Sequence, residues 1–241
     1  MPDTMFVLAY KCTIPTLLTV SLSHILTFSR SLTCFLLSYC LTVLLSSSSN
    51  DTAMEVIKHK EETLFDEFFE VRRGLLQFEK FDGSLSPEVT RYSFAKWDAV
   101  AVLVYHSEKD TYLLVNQMRY PPTHHGINPW LTEIVAGGIS PGEDEEDAAY
   151  REVMEEVGYK PLRLERITRF YVSPGIMSER ITLFFAEVDE SCRMHDGGGL
   201  VDEDEDIQLI WVPKGKAMEW ISQQEIGDAK TILALLWHSV K

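Results

Sequence analysis

The stretch "AGGISPGEDEEDAAYREVMEEVGY", Ala136 to Tyr159, packs acidic residues between Glu143 and Asp147, places three more at Glu152, Glu155 and Glu156, and offers Arg151 as its only basic side chain. Its spacing predicts a helix from about Glu143 to Val157, with Tyr150, Val153, Met154 and Val157 on one side at 3.6 residues per turn. Glu152, Glu155 and Glu156 project to the other side, where residues three and four apart stand one turn above each other. Like charges so placed cost a few tenths of a kcal/mol per pair. A divalent cation seated between them would more than offset that cost. Gly158 suits the helix C-terminus, and Gly137 and Gly142 permit a tight loop before the first turn.

The rest of the 241-residue chain bounds what such a seat could serve. At 45% hydrophobic residues it can bury one sizeable core, or a small domain beside a larger one. A formal charge of −15, with no cluster of Lys and Arg, excludes nucleic acid as the expected partner and favours a bound cation. Cys12, Cys34 and Cys40 lie in the first fifty residues and only Cys192 lies beyond, so neither a disulfide framework nor a cysteine metal site can be drawn. The expected location is therefore a reducing one, the cytoplasm.

Residues 1–53 differ in kind. This apolar, Ser/Thr-rich extension carries few charges, among them Asp3, Lys11 and Arg30. It reads as a signal or anchor, as a weak membrane span interrupted by Arg30, or as sequence upstream of a start at Met54. A span wants about 20 uninterrupted apolar residues, which favours the third reading. A membrane association is expected only if the segment is a real anchor.

Beyond Met54, residues 54–97 read as a small antiparallel sheet built from "LFDEFFEV", "LLQFEKF" and "EVTRYSFA", with "FDGSLSP" as a turn. Residues 98–241 read as an α/β domain. In it "DAVAVLVY" and "YLLVNQMRY" form a hairpin, "ITLFFAEV" and "IQLIWVP" add strands, and "KAMEWISQQ" and "DAKTILALLWHSV" form helices, the second capped by Asp228.

The opening stretch resembles the Nudix box: Gly, five residues, Glu, seven residues, Arg-Glu, an aliphatic, any residue, Glu-Glu, any residue, Gly, aliphatic. Gly137, Glu143, Arg151, Glu152, Val153, Glu155, Glu156 and Gly158 meet it at the required spacing, and only Tyr159 departs, at a position that normally serves packing. The resemblance extends from about Met54 to the C-terminus through "QMRY", "SPGIMSER" and "GGGLVDEDEDI", and is greatest to the ADP-ribose pyrophosphatases. It implies an α/β/α sandwich with a mixed sheet. It further implies a homodimer that exchanges its N-terminal sheets, and Mg²⁺-dependent cleavage of ADP-ribose, with Mn²⁺ as a possible substitute. A GDP-mannose or UDP-sugar hydrolase, or a non-catalytic nucleotide-sugar sensor, are the alternatives.

By the same resemblance Glu152 and Glu156 are the leading metal ligands, joined by the Ala136 carbonyl, Glu155 and Glu205. Arg151, counted with Glu155 in the catalytic set, orients the glutamates and has Glu155 as its i,i+4 partner. Glu143 is either a ligand through water or a helix-start carboxylate. The family's general base falls at Glu203, on an acidic loop whose glycines would let it swing over substrate, although Asp202, Asp204 and Asp206 crowd the same loop. Arg119 is implied as a phosphate contact, Phe68 and Arg91 as an adenine sandwich, and Glu179 as a neighbour of the terminal ribose or a water. An exposed strand charge at Arg91 and a core aromatic at Phe68 are the plain alternatives. His124 and His125 read as loop residues.

Overall fold

The computed structural model describes residues 54–200, 202 and 204–241. The apolar extension and Glu203 therefore lie outside the described residues. Three strands, β1 (Val56–Asp66), β2 (Glu70–Phe78) and β3 (Val89–Ala95), form an antiparallel sheet in that order. The expected strand "LFDEFFEV" is instead the end of β1, a turn over Glu67–Phe69 and the start of β2. Its apolar residues imitated a strand centre. The true first strand, "VIKHKEETLFD", is so charged that it reads as solvent, and it is largely exposed here.

A mixed sheet follows, ordered β10-β5-β4-β9-β8, with β6 added to β5 and β7 to β4. Its members are β4 (Ala99–His106), β5 (Thr111–Met118), β6 (Trp130–Glu133), β7 (Val135–Gly138), β8 (Arg163–Tyr171), β9 (Arg180–Val188) and β10 (Gln208–Pro213). β4 and β9 pair in parallel, while the other pairs are antiparallel. Strand β8, "RLERITRFY", went unpredicted because four of its nine residues are charged.

Alternation along β4 builds a core on each face of this sheet. Val100, Val102 and Val104 join Ala148, Ala149, Val153 and Val157 beneath the acidic helix. Ala101 and Leu103 join Ala217, Ala234 and Leu235 beneath α2 (Ala217–Ser222) and α3 (Ala229–Ser239). Each fully buried Val, Leu or Phe contributes about 1.5–3 kcal/mol. The fold is thus α/β, helices on both faces of a mixed sheet, with a separate small antiparallel sheet.

The small sheet is stitched to the larger one where β3 ends. Phe94 donates its N–H to the Ile176 carbonyl at 2.7 Å and accepts from Ser178 at 3.0 Å. Just beyond, Asp98 accepts from Arg169 at 2.5 Å and from Arg180 at 2.6 Å, tying the start of β4 to β8 and β9. Among the described residues no helix is long and apolar enough to cross a membrane.

Candidate active site

The acidic stretch folds as predicted in outline and differs in detail. Asp144 caps the helix, accepting the Glu146 N–H at 2.8 Å, so α1 runs Glu145–Glu152 and not from Glu143. A π-helical turn, Val153–Val157, follows and ends at Gly158, whose φ of 76° is the left-handed conformation that glycine adopts freely. Of the expected apolar face Val153 and Val157 are buried, whereas Tyr150 is exposed; on the other side Glu152 and Glu156 are buried as well. The space that takes them in is set by the sheet: the Glu152 carboxylate lies where a Cβ on Gly137 would be.

Arg151 organises the entrance. Its guanidinium donates to Glu143 at 2.8 Å and 3.0 Å, to Glu152 at 2.7 Å, to Glu155 at 3.0 Å and to the Gly138 carbonyl at 2.9 Å. The bond from Arg151, aided by the Ser140 N–H, holds the Glu143 carboxyl down at about 2. Glu143 thus anchors Arg151 and closes the loop before the helix. The same carboxylates hold Arg151 firmly protonated.

Glu152 and Glu156 show the opposite electrostatics. Burial, reinforced by the charges of Glu152 and Glu205, pushes the Glu156 carboxyl well above the usual range, against the Ala136 backbone and the Arg119 charge. Burial likewise raises Glu152 despite Arg151. The Glu156 Oε2 atom is buried without a hydrogen-bond partner. Among the described residues no three Asp, Glu, His or Cys side chains stand as a ready ligand cluster, and Arg151 donates to both Glu152 and Glu155. In donor type the set suits a hard divalent cation all the same: carboxylate oxygens, one of them buried without a partner, mutually repelling around an uncompensated space.

The "GGG" loop meets the end of this helix. Gly198 donates to the Glu156 carbonyl and Gly199 to the Glu155 carbonyl, while a Cβ at Gly197 would come within 2.7 Å of Glu156 O. The glycines therefore permit close backbone approach, a different task from the swing read in the sequence. Glu205 on this loop accepts the Leu200 N–H at 3.0 Å and lines a cavity of about 580 Å³ together with Ala136, Gly137, Arg119 and Glu179.

Within that cavity Arg119 is held by a residue the sequence did not single out. Glu133, buried at the end of β6, accepts from Arg119 through both oxygens, at 3.1 Å and 2.9 Å, and from Lys230 at 2.6 Å. Lys230 sits in the first turn of α3, beside Asp228 at 3.0 Å. The signal was available, since an acidic residue among apolar ones in "PWLTEIVAGG" implies a partnered buried carboxylate. The adenine pair is not brought together within one chain: Phe68 borders clefts near Lys96 and Trp97, whereas Arg91 extends along β3, donating to the Thr90 carbonyl. His124 and His125 lie in an exposed 3-10 turn, and Tyr159 packs, buried, against His106 and Trp211.

Comparison with known proteins identifies the family. The NUDIX domain family model matches residues 95–235. The ADP-ribose pyrophosphatase of Escherichia coli (strain K12) is 35% identical over 178 residues, covering 73% of this chain and 84% of that protein. The GDP-mannose pyrophosphatase of Cronobacter sakazakii (strain ATCC BAA-894) is 33% identical over 185 residues, covering 76% and 93%. A crystal structure of an ADP compounds hydrolase superposes with a TM-score of 0.58 at 21% identity, covering 76% of this chain and 91% of that one, a likeness of fold. With its box intact and its two leading glutamates drawn inward beside an argininium clamp, the chain belongs to the Nudix hydrolase family.

Proposed function

We propose that this protein hydrolyses the diphosphate bond of ADP-ribose, with Mg²⁺, to AMP and ribose 5-phosphate. The observation that carries the reading is the cavity of about 580 Å³: Glu205 and the cations Arg119 and Lys230 line it, and its wall at Gly137 is the glycine against which the buried Glu152 carboxylate is seated. The 35–36% identity to ADP-ribose pyrophosphatases supports the choice of substrate. The 33% identity to a GDP-mannose pyrophosphatase supports a second reading, another nucleoside diphosphate sugar cleaved by the same site.

Glu152, Glu156, Glu155, Glu205 and the Ala136 carbonyl are the residues that would hold the metal. When bound, Mg²⁺ supplies neutralisation of the phosphate oxygens and a positioned water. Arg151 keeps Glu152 and Glu155 aligned. Arg119, with two of its nitrogens committed to Glu133, leaves Nη1 for a phosphate oxygen. Glu203 takes the proton from the attacking water. Domain roles follow the sequence reading: residues 98–241 carry the chemistry, and residues 54–97 exchange between two copies.

The direct test is product identification after incubating the full chain with ADP-ribose, GDP-mannose and a UDP-sugar in Mg²⁺. AMP and ribose 5-phosphate from the first, at the highest kcat/KM, are expected. Activity should stop in EDTA and return with added Mg²⁺; full activity in chelator refutes the metal assignment. Glu203→Gln should lower kcat on the order of a hundredfold or more, with KM much less changed and the deficit shrinking as pH rises. Wild-type kinetics in that variant would move the base elsewhere. A monomer by light scattering would refute the exchange.

A further inference from the structure

Two exposed aromatic side chains stand beside the site, Trp97 in the wall of the cavity and Phe68 in the cleft that adjoins it, and Trp97 has no role in the proposed reaction. Trp97 follows β3 and is 55% exposed; Phe68, in the β1–β2 turn, is 68% exposed. Their ring centroids lie 6.2 Å apart at 79°, and the Lys96 ammonium lies 4.7 Å from the Phe68 ring and 5.9 Å from the Trp97 ring. The indole Nε1 would be 2.8 Å from a Cβ on Gly138, so the ring rests on the box loop, one residue from the glycine that seats the Glu152 carboxylate. Trp97 borders both the 580 Å³ cavity and the adjoining cleft that reaches Phe68 and Arg151. Arg91 borders neither.

An indole in the wall of a polar cavity offers a flat apolar surface that a bound ring would remove from water. The edge-to-face contact with Phe68 occupies one ring face at most, which leaves room for a flat π system, and Lys96 adds a positive charge suited to a phosphate-bearing ligand. A nucleobase joined to a diphosphate has both properties. We propose that Trp97 is a base-stacking residue of the substrate pocket, its indole face covering the nucleobase while the Phe68 ring, set nearly perpendicular to it, meets the base edge-on. The inference rests on the nucleotide-sugar reading. Stacking favours every base, so Trp97 selects for a nucleotide and leaves the choice between adenine and guanine to other contacts.

The test is steady-state kinetics of the full chain carrying Trp97→Ala, Trp97→Phe or Arg91→Ala. Trp97→Ala should raise KM for ADP-ribose and GDP-mannose about tenfold, with kcat within about twofold. Inhibition by AMP should weaken by the same factor. Inhibition by ribose 5-phosphate, which has no base, should be unchanged, and Trp97→Phe should recover most of the loss. Equal weakening of AMP and ribose 5-phosphate, an effect on kcat alone, or a KM defect found only in Arg91→Ala would overturn the proposal. If the wild type cleaves no nucleotide sugar, the functional reading fails separately, and calorimetry with AMP decides the stacking role. Weaker binding by Trp97→Ala then upholds it; equal affinity, or no binding by the wild type, overturns it.

Discussion

Gly198 donates its backbone N–H to the carbonyl of Glu156 at 2.8 Å, so the loop that carries Glu205 is fastened to the end of the helix that carries Glu152 and Glu156. Groups about fifty positions apart in sequence are thereby held in one array by main-chain contacts. The last carbonyls of a helix need partners, and here a second segment supplies the N–H groups. The array depends on the absence of side chains at the contact.

Gly197→Ala tests that dependence. A Cβ there meets Glu156 O and the Val157 backbone at 2.7 Å, and the φ of 70° is itself unfavourable for alanine by about 1–2 kcal/mol. A melting temperature lowered by several degrees is expected, together with a loss of turnover larger than that of an alanine at Gly215, which has open space around it. An unchanged melting curve would show that the loop can leave the helix end at no cost.

Glu156→Gln should separate stability from activity. The native carboxylate is buried, lacks a partner at Oε2 and faces other carboxylates, so an amide of the same shape relieves repulsion. Turnover should fall on the order of a hundredfold or more, while the melting temperature stays level or rises. A large drop in melting temperature would mean that the carboxylate stabilises the fold.

Glu133→Ala should fail on both counts. It leaves Lys230 and Arg119 without their shared carboxylate, and breaking a buried pair costs about 3–5 kcal/mol. The milder Glu133→Gln should keep the fold and raise KM more than it lowers kcat, because Arg119 loses its fixed orientation. Urea unfolding and kinetics on the two variants measure the two effects.

Acid stability should report on Asp98. Burial opposes its charge, but the hydrogen bonds from Arg180 and the charges of Arg169 and Arg180 outweigh burial and hold its carboxyl below the usual range. A depressed folded value means that its stabilisation is present above the unfolded value, about 3.9, and is lost as pH falls through the folded one. Asp98→Asn should lower the melting temperature near neutrality and lose less on acidification below about pH 4. Parallel curves for the two proteins would contradict this.

The site's charge was legible in the sequence while its environment was not. Spacing alone placed Glu152 and Glu156 on one side of a helix as a cation seat, but it carried no sign that the seat is buried, because burial of a glutamate is decided by Gly137 on a separate strand. Strands β4, β5, β9 and β10 were readable from their apolar runs, whereas β1 and β8 were hidden by Lys, Arg and Glu that face solvent or form ion pairs. Glu133 was missed for a related reason. The apolar run around it marks a partnered carboxylate, but the partners lie 14 and 97 positions away and only the fold names them.

The seat of Trp97 on Gly138 constrains how the sequence can drift. Position 138 has no room for a methyl group while an indole stands over it, yet the obstruction is a single side chain that is itself more than half open to solvent. The order of change therefore matters. A lineage that first trims position 97 frees position 138 to vary, and once a side chain has appeared there the tryptophan cannot return without displacing it.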